Sequence, residues 1–272
     1  MNLFFEPTVL ATETHWESVR RCAKIILERF NFNNFYYYRI TNDGNFFLYD
    51  DNTDVIRFLG DQDFHLKHVY YCHPRYRKSE LKIEITRENP FLVQMEETRR
   101  FFEQSEFNLF FQISQKSETA VDEFGFHSDN ATDTQARFIL NHVGELKLFL
   151  NWFLKSHSRM FDFLRESALH LPSILGDTFY ENRILGLDPD SQIRALILKD
   201  LGFEFADNLS SGEQEVLRLT KKGYTPAQIG SRVFRSKRSI EHRIESLKSK
   251  LSCDSKVELI ERCEQLELAG YL

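Results

Sequence analysis

Residues 209–251 read LSSGEQEVLRLTKKGYTPAQIGSRVFRSKRSIEHRIESLKSKL, and this stretch divides into three helices by its own punctuation. Ser210 or Ser211, Thr225 and Ser236 each stand just before a run with helical spacing, where a hydroxyl accepts a hydrogen bond from the unpaired backbone N–H groups of the first turn. Gly223 falls where the first run must stop, because glycine enters the left-handed conformation without steric cost. In the third run Ile240, Ile244, Leu247 and Leu251 share one stripe, so Arg238, His242, Glu245 and Ser249 point the other way. A helix with an apolar back and a polar, partly basic front fits a major groove. A fourth helix is expected over Ser255–Ala269.

The charge distribution points the same way. The whole chain of 272 residues carries a formal charge of −6, an unpromising figure for a partner of nucleic acid. From Asp207 onward, however, twelve Lys and Arg face ten Asp and Glu, and between Lys221 and Lys250 nine bases face two acids. The acidic excess therefore belongs to residues 1–206, while the helical stretch has the local positive charge of a phosphate-facing footprint.

This stretch closely resembles the LuxR-type (NarL/FixJ-type) helix-turn-helix family. The positions that carry the resemblance are Leu209-Ser210, Glu213, Glu215-Val216-Leu217, Gly223, Ile229-Gly230, Ser236, Ser239-Ile240-Glu241 and Lys250-Leu251. Two positions depart from the family pattern: Gly230 stands where alanine is usual, which predicts a slightly looser second helix, and Arg243 stands where histidine is common. The resemblance implies a DNA-binding transcriptional regulator, a homodimer on double-stranded DNA, with RNA polymerase as a further partner. It implies that Arg238, Glu241, His242 and Glu245 meet base edges, where a carboxylate accepts from cytosine N4. Thr225, Lys237, Arg243, Lys248 and Lys250 are assigned to phosphates, which position the helix without reading sequence.

The first 170 residues have a different pattern. Thr14–Phe30 reads as an amphipathic helix with Trp16, Val19, Ala23, Ile26, Leu27 and Phe30 on one side. Phe35–Ile40 and Phe46–Tyr49 are β-prone and flank Asn42-Asp43-Gly44, a tight-turn signal. A short helix at Asp54–Leu59, a strand at Leu66–Cys72, a helix at Leu92–Phe102 and an antiparallel pair at Asn108–Ile113 and Ala120–Phe126 follow. From Ala136 to Leu164 apolar residues recur every three or four positions, which predicts one helix about 50 Å long serving a dimer interface. The expected class is α+β: an antiparallel-sheet domain over 1–170, loosely resembling PAS or GAF sensor domains, a connector over 171–206 with a short helix at Asp190–Asp200, and an all-α helix-turn-helix domain over 207–272. The aromatic residues Phe35–Tyr38 serve either a small-molecule pocket or core packing.

Several classes fall away. With 42% hydrophobic residues and 26 Phe the chain has ample material for a core, so general disorder is excluded. No apolar run approaches 18 residues and Met1–Leu10 lacks a basic start, so neither a membrane span nor a signal peptide is expected. Cys22, Cys72, Cys253 and Cys263 are scattered without disulfide or metal spacing, as in a reducing cytoplasm. His65, His68, Cys72 and His73 are the nearest thing to a metal cluster, but alternation along a strand would split them between two faces; no metal or cofactor is expected. No nucleophile elbow or phosphate loop stands out, so an enzyme is not expected. Asp50-Asp51 after a strand would suit a phosphorylated receiver, but the Asp-Gly hairpin conflicts with its alternating parallel units. Control by protein contact or by phosphorylation of the first domain stands as the alternative to a small-molecule signal.

Overall fold

The Asp43-Gly44 turn forms as the sequence predicts. Strands β1 (Asn34–Thr41) and β2 (Asn45–Asp50) pair antiparallel across it, with Gly44 at φ +87°. The computed structural model describes residues 6–61, 68–129, 132–184 and 191–272, and the chain divides into two compact units, residues 1–187 and 188–272.

The first unit is built on the sheet β3-β4-β5-β1-β2-β6. Its further strands are β3 (Glu80–Ile85), β4 (Leu109–Lys116), β5 (Ala120–Ser128) and the two-residue β6 (Leu169–His170). The first long strand pairs with the last along its whole length, from Asn34 opposite His127 to Thr41 opposite Ala120. Helix α1 (Glu6–Phe30) starts earlier than expected; it buries Val19, Ala23, Ile26, Leu27 and Phe30, but Trp16 stays half exposed. Helix α2 (Thr53–Asp61) forms as predicted.

The strand expected at Leu66–Cys72 is absent from its described part: His68–Cys72 is turn and bend, and Leu66 and His65 lie outside the described residues. The strand lies instead at β3, where Leu81, Ile83 and Ile85 alternate with Glu80, Lys82 and Glu84. The helix expected at Leu92–Phe102 is broken into α3 (Pro90–Val93) and α4 (Glu96–Gln104), because Asn89 caps the first by accepting from the N–H groups of Phe91 and Leu92 and Met95 leaves helical geometry at ψ 71°.

The single helix of about 50 Å is likewise three: α5 (Asp133–Asn141), α6 (Val143–Ser156) and α7 (Ser158–Glu166). The breaks fall at His142 (φ −121°, ψ 22°) and His157 (φ −113°, ψ 28°). These bends let the stripe follow the sheet, so Ile139, Leu146, Leu150, Phe153, Met160, Phe161 and Leu164 pack with α1 and the strands in the unit's own core. The stripe read as a dimer interface is thus an internal surface, and the exposed side of α6 carries Leu148 and Trp152 instead.

Both sheet faces are covered. Phe35, Tyr37, Phe47, Tyr49, Phe124 and Phe126 join the α1 and α5–α7 cluster, while Tyr38, Ile40, Phe46, Leu48 and Val121 face the other way and pack with Ile56, Tyr71, Leu171 and Phe179. This double burial explains strands that are aromatic at consecutive positions instead of alternate ones. The segment after β6 begins with α8 (Leu171–Leu175); Leu171 and Phe179 are wholly buried against the sheet.

The second unit holds α9 (Ser191–Asp200), α10 (Ser211–Lys221), α11 (Pro226–Arg232), α12 (Lys237–Lys250) and α13 (Lys256–Leu268). Its core is Val216, Leu217, Ile229, Ile240, Leu247, Leu251, Leu259, Cys263 and Leu266, with Leu198 of α9 packed against it.

The β1–β5 pairing sets one local requirement that a substitution tests. Gly125 lies opposite Tyr36, and a Cβ there would sit 2.0 Å from two atoms of the Tyr36 ring. Gly125→Ala should displace that ring and cost about 1–3 kcal/mol, read as a lowered midpoint for the sheet unit in thermal or denaturant unfolding.

Candidate functional site: an exposed basic helix and a buried cavity

Each helix of the 209–251 stretch begins on its predicted hydroxyl. Ser210 Oγ accepts the Glu213 N–H while the Glu213 carboxylate accepts the Ser210 N–H, and Thr225 and Gln228 form the same reciprocal pair. Ser236 Oγ accepts the Ser239 N–H at 3.1 Å. These caps satisfy orphan donors of the first turn and fix where each helix points. Gly223, at φ +84°, follows α10.

Helix α12 has the two-sided character expected of it. Ile240 and Leu247 are fully buried and Ile244 is half-buried, while Arg238, Glu241, His242, Glu245 and Ser249 are exposed. Two charge pairs run along the helix: Lys237 with Glu241 at 3.4 Å, both exposed, and the largely covered Lys248 with the exposed Glu245 at 3.0 Å. Lys250 differs, reaching across to Glu213 at 2.6 Å. Burial raises the Glu213 carboxyl, but Lys250 and Ser210 outweigh it and hold that group below its usual value. Arg243 is half-buried and crosses the start of α10, where a Cβ on Gly212 would lie 2.8 Å from its Nη1. Thr225 is exposed, and its hydroxyl donates to Gln228 Oε1 at 3.0 Å. The fold thus gathers Arg238, Glu241, His242 and Glu245 on one exposed face, with Lys237 and Lys248 beside them, and draws Lys250 into helix packing.

Gly230 has a more definite role than loosening its helix. A Cβ at this position would lie 2.5 Å from the carbonyl oxygen of Arg235, in the turn that leads into α12. Backbone cannot yield as a flexible side chain can, so the close approach of α11 to this turn depends on glycine.

The second feature lies under the sheet, on the face away from α1, and divides the aromatic run Phe35–Tyr38: Tyr36 and Tyr38 line it while Phe35 and Tyr37 pack in the core. A cavity of about 70 Å3 is lined by Tyr36, Tyr38, Asp50, His68, Glu84, Phe91, Phe102, Phe110, Gln112 and His127, among others. Tyr36 Oη accepts from Gln112 Nε2 at 2.8 Å and donates to Glu123 at 3.3 Å. Beside it, the buried Arg77 pairs with Glu123 and donates to Tyr38 Oη and Ser114 Oγ.

His127 is almost wholly buried, and the rings of Phe107 and Phe110 lie 4.3 and 4.4 Å from its own. Its Nδ1 faces Asn34 Nδ2 at 3.1 Å, so Nδ1 accepts and the proton sits on Nε2, which has no hydrogen-bond partner among the described residues. Burial pushes the imidazole down to about 3, leaving it neutral at physiological pH. A histidine in an apolar strand gives no sign of this in sequence; only the pairing of β5 with β1 brings it to Asn34.

An open cleft of about 620 Å3 lies over Thr12, Arg20, Asp51 and Thr53. Asp51 is buried there and its carboxylate lies 3.0 Å from Arg20 Nε, so it is not the accessible carboxylate of a receiver.

Residues 207–263 match the family model described as bacterial regulatory proteins, luxR family. No curated protein matches the chain. Among solved structures, Escherichia coli SdiA is similar at 12% identity over 93% of this chain and 91% of that one, with a TM-score of 0.35. SdiA in complex with octanoyl-rac-glycerol is similar at 11% identity over 92% and 86%, with a TM-score of 0.33.

The Gly230 contact makes a prediction opposite to the usual preference for alanine in helices. Gly230→Ala should destabilise the second unit by about 1–3 kcal/mol, seen as a lower denaturant midpoint for loss of helical circular dichroism in residues 188–272.

Proposed function

We propose that this chain, whose residues 207–263 form a LuxR-family helix-turn-helix domain, is a transcription regulator that binds double-stranded DNA through α12 and takes its signal through the sheet unit. The observation that carries the DNA-binding reading is the exposed front of α12: Arg238, Glu241, His242 and Glu245 on a helix whose back is locked into the core. Lys237, Lys248, Arg243 and Thr225 flank it as phosphate contacts. Lys250, already held by Glu213, contributes less. The protein acts by binding and not by turnover.

A homodimer suits this role, because two-fold operators favour two-fold proteins. Its support is the apolar surface still exposed on each unit, Leu148 and Trp152 on α6 and Val257 on α13.

The signal in this reading is a small uncharged molecule held in the cavity beneath β1 and β5. The supporting observation is the Nε2–H of His127, which has no partner among the described residues and sits in an aromatic wall, since a buried donor left unpaired costs about 1–3 kcal/mol that an acceptor atom on a ligand would recover. Asp50 and Glu84 line the same space; burial raises both carboxyls, and a neutral ligand suits such a wall. At about 70 Å3 the cavity takes only the head of a larger ligand, whose body displaces the rings of α3 and α4. Residues 1–170 are the sensor, residues 171–206 connect it to the effector, and Leu171 and Phe179 dock the start of that connection on the sheet.

Two experiments test these roles. Lys248→Ala should weaken binding to every duplex and lower the slope of log affinity against log salt by about one. His242→Ala or Glu245→Ala should instead cost about 1–3 kcal/mol on the preferred site only; equal losses on selected and random duplex for all three variants would contradict the groove assignment. For the cavity, mass spectrometry of small molecules released from the purified protein should find an uncharged compound, and His127→Phe should abolish its retention while changing ligand-free stability by at most about 1–3 kcal/mol, because loss of the Asn34 bond is offset by removal of the Nε2–H donor.

A further inference from the structure

The turn between α11 and α12 contains a residue that the fold itself does not need. Phe234 has a left-handed backbone, φ +54°, and its side chain is 92% exposed. The conformation follows from how α11 ends: the Val233 N–H bonds to the Ile229 carbonyl at 3.0 Å and the Arg235 N–H to the Gly230 carbonyl at 2.9 Å. That double closure places one residue in the left-handed region, where glycine is the least costly choice. At the corresponding position after α9, α10 and α13 the chain has Gly202, Gly223 and Gly270. Among the described residues the other non-glycine cases are Asn31, Glu106 and Ser252, all polar and suited to water. Phe234 accepts the backbone cost of a bulky side chain and buries nothing in return.

Its surroundings indicate what covers the ring. Arg232, Arg235, Lys237 and Arg238 are all exposed, and the chain has no acidic residue between Glu215 and Glu241. A surface of that charge attracts a polyanion, and within a duplex the apolar surfaces are the C5-methyl of thymine and the deoxyribose edges. Phe234 also precedes Ser236, the cap of α12, by two residues, and the leading end of the second helix is the part of a helix-turn-helix that enters the groove.

We propose that Phe234 is a DNA-contacting residue whose ring packs on an apolar edge of the duplex as the start of α12 enters the major groove. This rests on the DNA-binding reading given above and adds to it a contact that carries no charge.

The test compares the full chain with Phe234→Gly and Phe234→Asn, since both replacements accept the left-handed backbone and keep the turn. Duplexes enriched by the wild-type chain from a random-sequence pool serve as probes, beside an unselected duplex, with binding read by fluorescence anisotropy across a salt series. Both variants should melt at or above the wild-type temperature, bind the selected duplex about tenfold or more weakly, and keep the wild-type salt slope. Replacing thymine by uracil in the selected duplex identifies the surface. A loss for wild type that the variants do not show assigns the ring to a thymine methyl, and no loss assigns it to the sugar. Wild-type affinity in both variants would overturn the proposal while leaving the DNA-binding reading intact, whereas a wild-type chain that binds no duplex at low salt would remove the reading beneath it. A variant whose lost affinity is matched by lost self-association in sedimentation would also overturn it, since the ring would then meet a second copy of the chain.

Discussion

The antiparallel pairing of β1 with β5 is the constraint on which the sheet unit depends. It joins residues 34–41 to residues 120–127, so hairpins formed locally at each end of the unit become one sheet with two buried faces. Without it Tyr36 would lack the space over Gly125, Asn34 would not reach His127, and Phe35 and Phe126 would not share a core with α1. Such a pairing is costly to close, because the intervening chain must be ordered before the contacts repay it. The helical unit is the opposite case. Its caps and turns are closed within a few residues, and the geometry of α10–α12 follows from local signals that agree with one another.

That contrast accounts for what the sequence revealed and what it hid. The caps at Ser210, Thr225 and Ser236, the stop at Gly223 and the Asp43-Gly44 turn depend on neighbours in the chain, and each was readable. The long apolar stripe from Ala136 was also readable as helix, but its period could not show that His142 and His157 bend it onto the sheet. Consecutive aromatic residues in β1 and β2 blurred the alternation that assigns faces, and only the cover on both sides explains them. The β3 sequence Glu80–Ile85 alternates cleanly, whereas the segment Leu66–Cys72, richer in β-prone residues, is turn and bend in its described part. His127, Gly125 and Gly230 are hidden for one common reason: their roles are set by atoms brought near in space, an Asn34 amide, a Tyr36 ring and an Arg235 carbonyl.

On α12 the structure sorts the lysines by how firmly each is held. Lys237 and Lys248 pair with Glu241 and Glu245 along the helix surface. An exposed pair contributes little in water, with a median of about 0–1 kcal/mol, so Lys237 can exchange a carboxylate for a phosphate at small cost; Lys248 is more covered, at 19% exposed, but its partner Glu245 lies in solvent. Lys250 meets a Glu213 that is only 14% exposed and already locked into the cap of α10. Releasing it would disturb both the cap and the packing of α10 on α12. The same side-chain chemistry thus serves an adaptable front in one place and a fixed joint in another.

The energy available to the proposed sensor can be set against what regulation requires. A ligand shifts a two-state equilibrium only by its difference in affinity for the two states, and coupling between sites is typically about 1–3 kcal/mol. An unpaired buried donor costs about 1–3 kcal/mol, and among the described residues the Nε2–H of His127 has no partner. An acceptor placed against that nitrogen recovers the cost only while β1 and β5 hold Asn34 and His127 in register, because that pairing is what fixes the imidazole's tautomer and buries it. The ligand's advantage is therefore tied to one arrangement of the sheet, which is the condition for a bound molecule to act as a signal. A charged imidazole would not serve, since it would favour water or a carboxylate over a neutral acceptor. Burial keeps His127 neutral, and the aromatic wall that imposes this is the same surface that would receive the ligand's apolar body.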